Sequence, residues 1–419
     1  MRVLLISANS ERINMPTMPL GLGLVAAATR RAGHDVRFLD LMFQKEPLQA
    51  VEREVHGHEP DLIGVSIRNI DDQNQQNPRF LLEQVRPVIQ ACRDVSKAPI
   101  VLGGAGYSMF PRQVLAFLGA DYGVRGGGEE VLPALADCLQ QGRDPSKIPG
   151  VVVAGQPDSI PPTFSEELAT LPMPDDDLWW QLDPNTPELW VPVEARRGCP
   201  NKCSYCATAQ IQGTAIRCRD PQVVVDSMAR LAAAGFKRFY VVDNSFNLPE
   251  SYALDFCARL ERAALGISWR CILYPHGVSE QLVRAMASAG CVEVSVGFES
   301  GCERMLKSLN KHFTTDEVRR VVALLGKYRI RKIGFLLFGA PGETRESVEE
   351  SLAFARSLDL DALRTTVGIR IYPHTALAET AIAEGVIAPD DDLLQPRFYI
   401  APGLEPWIHE RVKAGMVTK

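Results

Sequence analysis

Three cysteines, Cys199, Cys203 and Cys206, crowd into eight positions of a 419-residue chain, with spacers of three and two residues. The chain has only ten cysteines in all, far below the density of a disulfide scaffold, so in a reducing compartment this cluster implies metal ligation. A [4Fe–4S] cluster takes four ligands, and three thiolates leave one iron open to a chelating substrate, a different chemistry from electron storage. A single zinc ion would need a fourth Cys or His, with Cys218 the nearest candidate. Three incidental cysteines are the remaining alternative.

Such a loop needs elements to hold it. Gly198 and Pro200 open it directly after an apolar stretch at 192–196 that reads as a strand. Further strands are expected near 238–242, 268–273, 292–298, 332–338 and 367–372, each followed by a helical pattern. Six βα units imply a partial (β/α)6 barrel, whose active site belongs at the carboxyl ends of its strands. Upstream, apolar runs at 3–6, 36–39, 62–67, 100–102 and 122–124 alternate with amphipathic stretches, which predicts an α/β domain with a doubly wound parallel sheet. Ligands of such sheets sit beyond the strands' carboxyl ends, where Ser66-Ile-Arg68-Asn69, Gly103-Gly104-Ala-Gly and Gly126-Gly127-Gly-Glu129 fall. The expected domains are 1–145 and 191–385, joined by a Pro- and Asp-rich linker at 146–190 with Trp179, Trp180 and Trp190 as anchors, and followed by a short C-terminal extension at 386–419.

With Tyr205 before its third cysteine, the loop Arg197-Gly-Cys199-Pro-Asn-Lys-Cys203-Ser-Tyr-Cys206 resembles, residue for residue, the cluster motif of the radical S-adenosylmethionine (SAM) superfamily. The resemblance implies that the open iron chelates SAM and that an electron from the cluster releases a 5′-deoxyadenosyl radical. It also implies SAM-facing roles for other strand ends. Asp243, Asn244 and Ser245 stand where the family faces the SAM amino group, and Glu299-Ser300-Gly301 where it approaches the ribose and carboxylate. The strand ending at Gly339 resembles the adenine-flanking strand, and Arg370-Ile371-Tyr372-Pro373 the last one. Departures from the family pattern at Tyr274-Pro-His276 and Pro373-His374 mark Tyr274, His276 and Tyr372 as candidates for catalysis and substrate specificity, although a histidine at a strand end is also a common structural residue.

The first domain resembles the cobalamin-binding module of the cobalamin-dependent members of that superfamily. Gly21, Gly103, Gly104, Gly126 and Gly127, with Glu129, stand where the module keeps small residues, and glycine there permits close approach to a bulky corrin. None of the seven histidines lies in the Asp-x-His-x-x-Gly pattern that ligates cobalt in the mutases, which leaves Arg68 and Asn69 nearest the lower face. In the family a missing lower ligand favours methyl transfer. A flavodoxin-like domain that binds nothing is the alternative, and a P-loop is excluded by the absence of its Lys-Ser/Thr.

The resemblance therefore implies a cobalamin-dependent radical SAM methyltransferase acting on an unactivated carbon, with a [4Fe–4S] cluster, SAM and cobalamin as cofactors. Alternatives are a cobalamin-dependent oxidoreductase or cyclase, and a non-catalytic iron–sulfur or zinc protein. A methylthiotransferase would need a second set of three cysteines, and upstream only Cys92 and Cys138 are present. By length and layout the chain resembles the glutamine C-methyltransferases of methyl-coenzyme M reductase, and the short C-terminal stretch is expected to leave the barrel mouth open to a peptide or protein. Flavodoxin or ferredoxin is the expected electron donor. A net charge of -6 gives no reason to expect nucleic acid, no apolar run is long enough to cross a bilayer, and the start of the chain reads as the first strand of a cytoplasmic protein.

Overall fold

Val3, Leu4, Leu5 and Ile6 form an apolar run without alternation, as a strand covered on both faces requires, and all four are fully buried. They lie in β1 (Arg2–Ser7), the second strand of a six-stranded sheet with β2 (Asp35–Asp40), β3 (Leu62–Ser66), β4 (Ile100–Gly103), β5 (Tyr122–Val124) and β6 (Val151–Val153). The order is β2-β1-β3-β4-β5-β6, parallel except for β6, which runs antiparallel to β5. Helices Leu20–Arg31 and Gly128–Gln140 bury Ala26, Val131 and Leu135 against Val3, Leu5 and Val101 on one side of this sheet.

The structure, a computed structural model, describes residues 1–12, 16, 18–156, 161–179, 182–186 and 189–416. Trp180 lies outside the described residues. The chain forms two units: Met1–Asp72, Arg79–Leu189 and Gln210–Gly213 make the first, and Gln73–Pro78, Trp190–Ala209 and Thr214–Lys419 the second. The stretch expected as a linker thus begins inside the first unit. It supplies β6, and Thr163 bridges to Gly126. Val151-Val-Val153 is a β-branched run too short to stand out against its Pro- and Gly-rich surroundings.

In the second unit β7 (Val191–Val193), β8 (Arg238–Val241), β9 (Ser268–Leu273), β10 (Cys291–Glu299), β11 (Arg331–Phe338) and β12 (Ala362–Val367) are all parallel and neighbours in chain order. β7 and β12 are the open edges, so the barrel is partial. Here the strands do alternate. Phe239, Val241, Trp269, Cys271, Val294, Val296, Phe298, Leu336 and Phe338 are buried, whereas their neighbours Tyr240, Arg270, Ile272, Ser295, Ile333, Phe335 and Leu337 are not. One face packs on helices, and the concave face is left without the filling of side chains that closes a full barrel.

The sixth strand lies at 362–367, five residues before its expected place. Its edge position leaves it half-exposed on both faces, so it lacks an apolar run, and the more apolar text at 369–370 pairs instead with Phe398–Tyr399 in an antiparallel ribbon. Gly368, at φ +82°, makes the break between them. Among the described residues no helix is long and apolar enough to cross a membrane.

Trp269 is the centre of the packing behind β8 and β9, with the rings of Phe246 and Phe256 at 5.0 and 5.9 Å and its Nε1 donating to the Ala289 carbonyl at 2.8 Å. Trp269→Ala removes this ring and strands that carbonyl. A loss of about 4 kcal/mol is expected, seen as a fall of roughly 10 °C in the melting temperature by circular dichroism.

Candidate active site

The cysteine loop leaves the sheet at a buried ion pair. Asp243, just past β8, accepts hydrogen bonds from the backbone N–H of Ala195 at 2.9 Å and of Arg196 at 3.0 Å, and from Arg196 Nε at 2.7 Å. The Arg196 guanidinium also donates to the Leu248 carbonyl at 3.2 Å and stacks over Tyr252 and Phe246 at 4.6 and 5.1 Å. Expected as a SAM-facing group, Asp243 thus has both carboxylate oxygens engaged in fixing the root of the loop. Asn244 donates to the Gly198 carbonyl at 3.4 Å, and Asp243, Asn244 and Ser245 line one small cleft with Gly198 and Cys199.

Gly198 has φ +93°, and a Cβ there would lie 2.0 Å from the Ala215 carbonyl oxygen, so only glycine lets the chain turn into the loop. The loop is then pinned along its length. Asn310 donates to the Lys202 carbonyl at 2.7 Å, Ser204 N–H donates to the Leu309 carbonyl at 3.1 Å, Leu377 N–H donates to the Ser204 carbonyl at 2.9 Å, and Cys206 N–H closes a turn onto Cys203. Cys199, Cys203 and Cys206 are all partly exposed. As free thiols, Cys199 and Cys203 are pushed above the ordinary range by burial.

The donor set fits a cluster. Among the described residues no three His, Cys, Asp or Glu side chains gather closely enough to hold one metal ion. A [4Fe–4S] cluster does not ask for that, since each thiolate takes a different iron. Ser204 Oγ, buried and without a partner among the described residues, is a spare hydroxyl in the same loop. Cys218 sits apart, on a short strand paired with Arg196, where Arg196 and Asp243 are its charged neighbours.

Glu299, at the end of β10 with φ +61°, accepts from the Tyr205 hydroxyl at 3.1 Å and pairs with Lys311 Nζ at 3.3 Å, and Lys311 also donates to the Tyr205 oxygen at 3.0 Å. Burial works against the Lys311 charge, yet Glu299, Tyr205 and Cys203 together hold its pKa well above the usual lysine range. Lys311 is the residue the sequence reading missed. It follows the helix after Glu299 with no spacing that marks it, and only the fold sets it against the cysteine loop. Tyr274 serves the same segment, because its hydroxyl accepts from His312 N–H at 2.8 Å and its ring packs edge-on against Phe313. Its backbone is clasped by Asn247, also missed, which bonds the Tyr274 N–H and carbonyl at 3.0 and 2.9 Å. His276 is exposed, its Nδ1 3.0 Å from Glu317.

Ser300 is buried and turned toward the helix layer, its hydroxyl 2.8 Å from that of Ser351. Gly339, at φ +103°, and Ala340 donate their N–H groups to Glu343, whose carboxyl burial pushes up to about 7. Ile371 is fully buried and bonded to Arg397, whereas Tyr372 is half-exposed beside Arg370.

In the first unit the strand order reverses between β1 and β3, and a cleft opens there at their carboxyl ends, lined by Asn9, Glu11, Arg68, Asn69 and Gln84. Asn9 Nδ2 is buried in it without a partner among the described residues, which fits a polar ligand. Ser66, Arg68 and Asn69 leave β3 at this point. The glycine loops divide by purpose. At Gly104 and Gly126, both at positive φ, a Cβ would meet the carbonyl oxygens of Ile67 and Thr163 at 2.5 and 2.3 Å, so these two serve the fold itself. Ser108 Oγ ties their loops together, accepting from Gly126 N–H and donating to the Gly104 carbonyl. Gly21 and Gly103 have nothing within 4 Å of the missing Cβ and leave open space of the kind a large ligand would fill. Glu129 is buried at the start of its helix, its Oε2 3.5 Å from where a Cβ on Gly127 would lie.

A cobalamin-type parallel domain and an open half-barrel with three loop cysteines define a class of two-domain radical enzymes, and comparison with known proteins gives the same class. Residues 193–355 match the radical SAM superfamily and residues 7–136 the B12 binding domain. The tryptophan 2-C-methyltransferase of Streptomyces laurentii is 26% identical over 89% of this chain and 73% of its own length. An uncharacterized methyltransferase of Pyrococcus horikoshii is 27% identical over 92% and 84%. The radical SAM methyltransferase TsrM of Kitasatospora setae, solved with cobalamin and a [4Fe–4S] cluster bound, superposes with a TM-score of 0.86 at 24% identity, covering 99% of this chain and 90% of that one, which establishes a shared fold. Residues 193–355 thus form a radical SAM domain and residues 7–136 a B12-binding domain, joined in one chain. The matched domains carry SAM and cobalamin in their names, and the TsrM structure holds cobalamin and a [4Fe–4S] cluster.

Two measurements check the site. Cys203→Ser is expected to lower the iron content of anaerobically reconstituted protein from about four per chain and to abolish the spectrum of the reduced cluster. Glu343 binds its proton more tightly when folded than when unfolded, so the stability it contributes is full below the ordinary glutamate pKa and is lost as pH rises through about 7, on the order of 3 kcal/mol. Glu343→Gln has no proton to lose, and the wild-type melting temperature should fall relative to that of the variant between pH 5 and pH 8.

Proposed function

We propose that the chain is a cobalamin-dependent radical SAM methyltransferase that methylates an unactivated carbon. The carrying observation is the pairing, in one chain, of a cysteine loop pinned at the mouth of an open half-barrel with a cleft at the switch point of a B12-binding sheet. Alignment over most of the chain with two proteins named as methyltransferases supports transfer of a methyl group. A cyclase is also among the relatives, the anaerobic magnesium-protoporphyrin IX monomethyl ester cyclase of Rubrivivax gelatinosus, 26% identical over 86% of this chain, so ring closure is the second reading.

In this reading Cys199, Cys203 and Cys206 hold the cluster, and residues around Arg68, Asn69 and Gly103 receive the corrin. When bound, these groups supply hydrogen abstraction and the methyl donor. The protein's own part is to orient them. The Glu299–Lys311–Tyr205 group lies where it can present a carboxylate and an ammonium to the amino and carboxylate ends of SAM, while Tyr274 fixes the segment that carries Lys311. Tyr372 and His276 are reserved for the acceptor. A residue within a peptide or protein and a free amino acid are the two acceptor classes in question; tryptophan is the substrate of the related tryptophan 2-C-methyltransferase and is bound in a structure of TsrM. A one-electron donor such as flavodoxin or ferredoxin completes the system.

Reconstituted protein incubated with reductant, methyl-labelled SAM and candidate acceptors is expected to give a product one labelled methyl group heavier, together with S-adenosylhomocysteine and 5′-deoxyadenosine. A product of altered mass without the label would favour cyclase or oxidoreductase chemistry.

A further inference from the structure

On β11 the missing Cβ of Gly334 would lie 2.7 Å from Leu360 and 2.8 Å from Phe298, so that position faces the helix layer together with its register partner Leu363. The next residues on both strands, Phe335 and Arg364, are also partners and therefore face the concave side. Phe335 is 37% exposed, and Ile333 and Leu337 are half-buried on the same face. Nothing in the fold of the second unit requires this apolar wall to be bare.

Other charges on the concave face are matched. Glu293 pairs with Arg270 at 3.2 Å and Arg331 at 3.0 Å, and Glu299 with Lys311. Arg364 is exposed and, among the described residues, has no hydrogen-bond, ion-pair or ring partner. A guanidinium beside an apolar wall recognises an oxyanion carried on an apolar body, because its paired donors match two oxygens while the wall takes the remainder. β12 stands two strands from β10, so Arg364 is about 10 Å across the sheet from the line of Glu299, whose partner Tyr205 adjoins Cys206. A molecule of that reach can be anchored at one end and presented to the cysteine loop at the other.

We propose that Arg364, with Phe335 and Leu337, forms the anchoring subsite of the acceptor, and that the acceptor is a small molecule with a free carboxylate or phosphate on an apolar, preferably aromatic, body. This rests on the proposed function only in taking the half-barrel as the acceptor's site. It selects against an internal aromatic or aliphatic residue of a peptide, whose main-chain carboxylate is taken up in the peptide bond.

The test is isothermal titration of the full chain, reconstituted with cluster and cobalamin, with indole-3-propionate, its neutral amide and 1-naphthyl phosphate. The wild type should bind at least one of the anions about tenfold more tightly than the amide, and the preferred anion tells carboxylate from phosphate. Arg364→Ala should erase that preference and leave amide affinity unchanged, Arg364→Lys should keep part of it, and Phe335→Ala should weaken all three probes alike. Iron content and circular dichroism establish that each variant folds. The proposal is overturned if the wild type binds none of the probes, if it does not distinguish anion from amide, or if Arg364→Ala weakens both equally. If the binding pattern holds but no acceptor gains a methyl group, the subsite stands and the methyltransferase reading fails.

Discussion

The Arg196–Asp243 pair is the constraint on which the second unit turns. An ion pair out of contact with water is costly unless most of its remaining hydrogen-bonding groups are satisfied, and breaking it from one side leaves a buried charge at a cost of about 3–5 kcal/mol. Here the carboxylate takes two backbone N–H groups as well as the guanidinium, and the guanidinium reaches a carbonyl and two rings, its Nη2 alone lacking a hydrogen-bond partner among the described residues. The chain leaving β7 is therefore tied to the end of β8 at the point where the loop of cysteines begins. The positions of the three thiols follow from that anchor, the left-handed turn at Gly198 and the bonds from Leu309 and Asn310.

A second buried group, Lys311 with Glu299 and Tyr205, ties the same loop to the end of β10. The first acts before Cys199 and the second at Tyr205, between Cys203 and Cys206, so the loop is held from β8 and from β10. That is possible because the sheet stays open. In a closed eight-stranded barrel the inward residues pack against one another, whereas here β7 and β12 never meet and the concave face keeps Phe335 and Arg364 free of protein neighbours that would bury them.

The sheets were largely legible because their strands, apolar runs in the first and alternating in the second, recur in βα rhythm, and five strands of each overlap their expected places. The failures share a cause. β6 and β12 are edge strands, short or exposed on both faces, and an edge carries little of the apolar signal that burial imposes. The glycine-rich loops were legible as loops but not as to purpose. The sequence cannot distinguish Gly104, which has a carbonyl pressed against it, from Gly103, which has open space. Nor does it reveal that the polar residues after β8 are divided between an anchor, Asp243, and the cleft-lining Asn244 and Ser245.

Spacing alone singled out Cys199, Cys203 and Cys206 as candidate metal ligands, since ligand type and count are local properties of a short loop. It also established two α/β units, because hydrophobic period is local as well. What holds that loop was decided only by the tertiary structure. Lys311 comes 105 positions after Cys206 and Asp243 comes 47 after Arg196, and electrostatic partnership depends on distance in space, which a sequence without its fold does not contain. The same holds for Arg364. Its unmatched charge is visible only once the register of β11 and β12 fixes which face it shares.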